Sequence, residues 1–382
     1  MRALILTSKI GEGHNSCAQA LQEAVQEDGG FCTECEALGL LTQALPRWMS
    51  ALHTHVYRSV PSLFRAWYRY MERPTVFVCK YRGVRYFFRK SAEHLLQRVT
   101  EGQYDTIVCT HIIAALIVTE MLDQHPLPVR TYFVATDYTC SPGTRESRLG
   151  CYFIPAESLR EEFASRGIPA EKIAVGGIPI RQAFYARADR GAAKRAFGVL
   201  PEHQHVAVMC GSMGCGPMKK LAAFFARSLS PSQEATFVCG TNRKLYQALC
   251  RKYAGQSRIH VAGYVDNVSL LLDSADLYLT KPGGLSVTEA AAKSLPMVLL
   301  NVVAGCENYN LAYFTKLGAA ATAGTLRDVA ELCLRLLRDD GRREEMAAAY
   351  GKDPQRNSAR EICARIRADI GEGAPPAENS RE

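Results

Sequence analysis

Short apolar runs of strand length, each followed by an amphipathic helical stretch, limit what this chain can fold into. They fall at 3–7, 106–109, 131–135 and 151–154 in the first half, and at 205–209, 236–238, 259–261, 277–279 and 297–300 in the second. The runs are almost continuously apolar, as strands buried on both faces are. Helical periods lie between them, for example at 221–227 and 285–293. Parallel neighbours need a long crossover, and a helix supplies it. The pattern therefore predicts α/β architecture, with parallel sheets carrying helices on both faces.

At 382 residues the chain is long for one domain and comfortable for two. The rhythm breaks at Gly176-Gly177-Ile178-Pro179-Ile180, before a charged helix at 187–197 and Pro201. We expect one Rossmann-like domain over 1–178 and a second over 179–354, a closing helix at 355–370 and a disordered tail at 371–382. No run of 18 apolar residues occurs, so no membrane-spanning helix is expected. Ala3-Leu4-Ile5-Leu6 reads as a first strand rather than a leader. The 14 cysteines are scattered, which suits reduced thiols in the cytoplasm. Cys32 and Cys35 form one C-x-x-C without a second pair, and are expected at the surface near a helix end.

Four glycine-bearing turns follow these strands. The first is Gly11-Glu12-Gly13-His14-Asn15-Ser16 after 3–7. Glycine lets backbone approach a ligand, and the helix it opens offers unpaired N–H groups and a positive dipole end. In doubly wound folds ligands bind at the carboxyl ends of strands, where this turn lies. An imidazole there, that of His14, is a candidate base for deprotonating an attacking hydroxyl. The local alternative is a histidine capping the helix. The second turn, Gly211-Ser212-Met213-Gly214, repeats the device after 205–209.

The third is Lys281-Pro282-Gly283-Gly284-Leu285-Ser286-Val287-Thr288-Glu289. Two glycines admit a diphosphate, Lys281 adds positive charge, and Glu289 could accept the hydroxyls of a ribose. Ser286-x-x-Glu289 also reads as a capping box, which would explain those two residues but not the Pro-Gly-Gly before them. In the fourth, Gly305-Cys306-Glu307-Asn308, Glu307 and Asn308 could hold sugar hydroxyls. No D-x-D pair suggests a metal for the diphosphate, and no P-loop is present, so neither a metal nor a cofactor is expected. The dinucleotide fingerprint is incomplete, which argues against a dehydrogenase.

Charge is concentrated. The net charge is +8, yet 45–90 holds ten Lys/Arg against one acid, Glu72, with both tryptophans and nine other aromatics. Basic and aromatic residues together suit an anionic membrane interface, with Arg58, Trp67, Arg69, Arg82 and Arg85 as candidate contacts. A solvated basic face over an aromatic core is the plainer alternative. Nucleic-acid binding is not expected, and no feature sets an oligomeric state.

Taken in order over roughly 1–340, these turns resemble glycosyltransferase family 28, in particular its monogalactosyldiacylglycerol synthase and processive diacylglycerol glucosyltransferase branch. Thr136-Asp137-Tyr138 and Gly176-Gly177-Ile178-Pro179-Ile180 belong to the same set. The resemblance implies a GT-B fold, two Rossmann-like domains whose parallel sheets face each other across a cleft. It implies an inverting, metal-independent transfer from a UDP-sugar to a membrane lipid acceptor, by a cytoplasmic enzyme peripheral on the inner face of the cell membrane.

By position, His14 and Asp137 are the implied catalytic residues. The implied donor contacts are Gly13, Gly211, Ser212, Met213, Gly214, Tyr264, Val265, Lys281, Gly283, Gly284, Leu285, Ser286, Glu289, Glu307 and Asn308. The chain departs from the family at Cys306, where glutamine is usual, and after Tyr138, where lipid-acting members show a histidine and then a tryptophan. Diacylglycerol is the favoured acceptor. The alternatives are a polyprenyl-linked acceptor, a UDP-sugar epimerase on the same fold, or a lipid-binding module without catalysis.

Overall fold

A computed structural model describes residues 1–8, 12–40, 82–214, 216–300, 305–353 and 356–371. The chain divides into two units, Met1–Gln182 with Arg356–Glu382, and Ala183–Gln355.

The first unit runs β1 (Arg2–Thr7), α1 (Glu12–Glu27), β2 (Phe31–Glu36), α2 (Arg82–Glu101), β3 (Thr106–Cys109), α3 (Ile112–Gln124), β4 (Arg130–Val134), β5 (Cys151–Ile154), α4 (Arg160–Ser165) and β6 (Ile173–Val175). Its six strands lie in the order β2-β1-β3-β4-β5-β6, every pair parallel. A helix at Ser358–Ile370, the last among the described residues, packs on α1. Cys363 Sγ donates to Leu21 O at 3.8 Å, and Arg360 bonds Glu27 at 2.7 Å. A Cβ at Gly176 would fall 2.7 Å from Ile362, so the glycines after β6 let this helix approach the sheet.

The second unit runs α5 (Arg190–Ala196), β7 (Gln204–Met209), α6 (Met218–Ser228), β8 (Gln233–Val238), α7 (Arg243–Tyr253), β9 (Ile259–Ala262), α8 (Val268–Ser274), β10 (Leu277–Thr280), α9 (Gly284–Ala292), β11 (Met297–Leu299), α10 (Cys306–Leu317), β12 (Ala320–Ala321), α11 (Leu326–Arg338) and α12 (Asp340–Ala348). The order is β12-β11-β10-β7-β8-β9, again all parallel. Every residue of β8 is buried, which only a sheet covered on both faces allows. α11 contributes Val329, Ala330, Cys333, Leu334, Leu336 and Leu337 to a core that includes Phe225 and Phe237. Truncating either phenylalanine to alanine would cost about 3–5 kcal/mol, the range for a fully buried ring. The segment entering this unit is pinned by buried Lys293, whose Nζ bonds Asp273 at 2.8 Å and also donates to Ala186 O.

Three strands lie outside the runs noted in the sequence: β2, which mixes apolar residues with acids, and β6 and β12, apolar but only three and two residues long. The Cys32/Cys35 expectation needs correcting. Both thiols lie on β2 and are buried, 8% and 7% exposed. Burial pushes the Cys32 thiol up to about 12, so it is an inert core group.

Candidate functional site

Each sheet has a topological switch point, where the chain stops adding strands on one side and starts on the other. In the first unit it lies between β1 and β3, in the second between β7 and β10. His14 lies beside the first and the glycine turns at 211–214 and 283–284 beside the second, whereas Tyr264 and Val265 follow β9 at the sheet edge.

In the first unit, His14 is the third residue of α1, half-buried beyond the carboxyl end of β1. Its Nδ1 lies 2.8 Å from the carbonyl oxygen of Thr110, just past β3, and 3.2 Å from Thr136 Oγ1, just past β4. A carbonyl can only accept, so Nδ1 carries the ring proton and Nε2 is the basic nitrogen. Three loops thus converge on one imidazole and set its tautomer. Gly13 precedes it in the first turn of the helix, and Thr7 Oγ1 bonds Asn15 Oδ1 at 3.4 Å.

Asp137 sits half-buried beside Thr136, and its carbonyl accepts from Thr139 N–H at 2.8 Å. Glu162 of α4 holds this loop, accepting from Thr139 Oγ1 at 2.6 Å and Cys140 N–H at 3.1 Å. His111 was not singled out in the sequence. Its ring meets that of His14 edge to face at 4.6 Å. Its position after a strand at 106–109 was the available signal.

The second unit builds its site from backbone. Gly211 and Gly214 have φ of +79° and +56°, the left-handed region, and bracket a turn closed by Gly214 N–H to Gly211 O at 3.1 Å. This turn, with Ser212 and Met213, interlocks with the loop after β8. Thr241 N–H donates to Ser212 O at 2.8 Å, and Asn242 Nδ2 to Gly214 O at 3.2 Å. A Cβ on Gly214 would fall 1.9 Å from Cys239 O, and one on Gly240 would fall 1.9 Å from Ser212 O. Only glycine fits at either position. Gly240 and Asn242 were missed in the sequence, although Gly240 also follows a strand.

Between β10 and β7, Lys281 lies close enough that its Cε would touch a Cβ on Gly211 at 3.0 Å. The helix α9 opens at Gly283 as N-cap, without a side-chain cap bond. Gly284, Leu285 and Ser286 are its first three residues, whose N–H groups have no partner within the helix. Ser286 is therefore not the cap, and the capping-box alternative for Ser286 and Glu289 is corrected. A true capping box occurs elsewhere, at Thr325 and Asp328. Ser286 and Glu289, three apart, share a helix face.

Beyond β11, Gly305 adopts φ 95°, ψ −151° and starts α10, whose first residues are Cys306, Glu307 and Asn308. Glu307 bonds Lys281 Nζ at 2.9 Å, and buried Asn310 donates to Pro282 O at 2.9 Å, tying α10 to the glycine turn. Tyr264 and Val265 follow β9, with Tyr264 62% exposed.

Of the expected membrane contacts, Arg58, Trp67 and Arg69 lie outside the described residues, while Arg82 and Arg85 fall in the first turn of α2. Among the described residues no helix is long and apolar enough to cross a membrane, and no group of three His, Cys, Asp or Glu could hold a metal ion.

Comparison with known proteins covers both units. Residues 14–180 match the family described as monogalactosyldiacylglycerol (MGDG) synthase, and residues 219–353 match glycosyl transferases group 1. The chain is 28% identical over 364 residues to a processive diacylglycerol beta-glucosyltransferase of Bacillus mycoides, covering 92% of this chain and 91% of that protein. It is 29% identical over 354 residues to the enzyme of the same name from Bacillus cytotoxicus, covering 92% and 89%. Among solved structures it is similar to Acinetobacter baumannii MurG, with TM-score 0.63 and 12% identity over 96% of this chain and 99% of that one. It is also similar to S. aureus MnaA with UDP, with TM-score 0.62 and 14% identity over 98% of each chain. The two doubly wound units are those of a GT-B fold.

Proposed function

We propose that this chain, which matches the monogalactosyldiacylglycerol synthase family over residues 14–180 and is similar to processive diacylglycerol beta-glucosyltransferases, moves a hexose from a UDP-sugar to the hydroxyl of diacylglycerol, with inversion at the sugar. The relatives' name supplies the acceptor. Two similar solved structures hold UDP, which supports the donor.

The observation that carries the mechanism is the bond between His14 Nδ1–H and Thr110 O at 2.8 Å. It places the ring proton on Nδ1, which supports Nε2 as the base. The acceptor oxygen attacks C1 of the sugar on the face opposite the diphosphate. Its proton passes to His14 Nε2, and the C1–O bond breaks with its electron pair leaving on UDP. Negative charge grows on the diphosphate as that bond breaks. The N–H groups of Gly284, Leu285 and Ser286, at the positive end of α9, are suited to meet it, together with Lys281. A fixed dipole and a lysine replace the charge a metal would supply, so we assign no metal or cofactor to the reaction.

Glu289 is suited to the ribose, Tyr264 and Val265 to the base, and Glu307 and Asn308 to sugar hydroxyls. Asp137 is assigned to the acceptor side. The basic, aromatic composition of 45–90 supports peripheral binding to an anionic leaflet on the cytoplasmic side.

The test is UDP release from a panel of UDP-sugars, with and without vesicles containing diacylglycerol. Release that requires vesicles, for one sugar, supports the reading and names the donor. UDP binding without release on any vesicle moves the acceptor to a polyprenyl-linked or soluble substrate.

A further inference from the structure

His111 has no role in the mechanism above, yet it lies against the base. It follows Thr110, whose carbonyl holds His14 Nδ1. The two rings meet with centroids 4.6 Å apart and planes at 86°. His111 is also the N-cap of α3, with extended backbone at φ −138°, ψ 144°, and its Nδ1 accepts the N–H of Ile113 at 3.1 Å. A nitrogen that accepts must present its lone pair, so the proton of this ring sits on Nε2.

The two imidazoles are therefore locked in opposite tautomers. His14 carries its proton on Nδ1, His111 on Nε2. A second proton on His111 would have to enter at Nδ1. There it would oppose the Ile113 N–H and the positive end of a 13-residue helix. His14 also lies in the first turn of a helix, α1, so the helix field bears on both rings, and the Ile113 N–H directed at Nδ1 is what sets His111 apart. Two adjacent imidazoles without this asymmetry would share a proton and titrate as a pair.

We propose that His111 is a positioning residue for the base: it fixes the plane of the His14 ring and stays the uncharged member of the pair, so that the proton taken from the acceptor resides on His14. The proposal rests on the base role given to His14. Capping α3 is a separate duty, and asparagine separates the two. Its side-chain oxygen caps a helix well, but it has no ring to lay against His14.

The experiment compares the full chain with its His111→Asn, His111→Ala and His14→Ala variants. Imidazole nitrogen NMR spectra are recorded from about pH 5.5 to 8.5, the range in which histidine titrates. Turnover is measured as UDP release from UDP-glucose on vesicles of diacylglycerol and anionic phospholipid.

We expect the wild type to show the Nδ1–H pattern for His14 and the Nε2–H pattern for His111, with His14 protonating first. His111→Asn should keep the melting temperature to within about 2 °C, since the cap survives. It should shift and broaden the ring-nitrogen signals of His14 as the ring loosens, with Thr110 O still holding the proton on Nδ1, and lower kcat about tenfold or more at unchanged donor KM, the signature of a misaligned base. His111→Ala should lose the same activity and stability as well. A His14 spectrum in His111→Asn identical to wild type, or a His111 that protonates before His14, would overturn the proposal. The spectra decide this even on a preparation that does not turn over. An inactive His14→Ala beside a fully active His111→Asn would remove His111 alone. An active His14→Ala would remove the base reading itself.

Discussion

The two switch points share an architecture and differ in what they present. At the β1/β3 point the chain offers side chains, a histidine held by a backbone carbonyl and a threonine hydroxyl and meeting a second histidine edge to face. At the β7/β10 point it offers backbone, through glycines at 211, 214, 283 and 284 and the partner glycine at 240. The division follows the chemistry. Moving a proton at neutral pH needs a lone pair of tunable basicity, which backbone lacks. Holding a diphosphate needs several N–H donors close together, and a Cβ stands in the way of that approach.

Histidine shows the same contrast. His14 is half-buried, whereas His205 in β7 is fully buried. Its nitrogens meet Ser274 O at 3.1 Å and Thr236 Oγ1 at 2.8 Å.

The division can be broken most sharply at His14. His14→Ala should lower kcat by about 10²–10⁴, the usual worth of a general base, and leave UDP affinity within about twofold. Steady-state kinetics beside calorimetry of UDP binding checks this. An equal loss in both would mean the two regions do not divide the labour.

Next in size, Gly214→Ala or Gly240→Ala should cost about 3 kcal/mol or more, because the new methyl collides with a carbonyl. UDP binding should fall with it. Gly29 in the first unit has φ of +73° with nothing near its absent Cβ. Gly29→Ala should therefore cost only about 1–2 kcal/mol, the conformational penalty alone. Chemical denaturation of the three variants checks the ranking.

A third effect lies in pH. Burial, the largest influence, pulls the His205 pKa down to about 4. The folded ring stays neutral while the unfolded one takes up a proton below about 6.5. Stability should therefore be full above about pH 6.5 and decline as pH falls toward 4, by at most about 3 kcal/mol. His205→Gln should flatten that decline in pH-dependent melting curves. An unchanged slope would assign it to other groups.

The smallest effect sharpens the second region. Lys281→Met and Glu307→Gln should each weaken UDP-sugar binding about threefold to tenfold, and their double-mutant cycle should show coupling of about 1 kcal/mol. Strict additivity would mean the 2.9 Å pair does not act as a unit.

Much of the fold was legible because its signals are local. A buried strand advertises itself by a nearly continuous apolar run, as at 106–109 and 277–279, and a turn that needs glycine must carry one. β2 escaped notice because Phe-Cys-Thr-Glu-Cys-Glu, at a sheet edge, has neither a continuous apolar run nor a regular alternation. Both cysteines of that strand are nonetheless buried, although sequence spacing places them at a surface.

At the site, His14 and the glycine turns could be read as candidates from a strand followed by a glycine. Their partners could not. Thr110 and Thr136 reach His14 across 96 and 122 residues, and Lys281 meets Glu307 across 26. The sequence by itself determined the alternation, the parallel sheets and the chemistry on offer at each turn, since periodicity and residue type act within a few residues. The tertiary structure decided which nitrogen of His14 is basic, which histidine lies beside it, why Gly240 must be glycine and where α9 begins. Those depend on strand order, which brings remote loops within a hydrogen bond of each other.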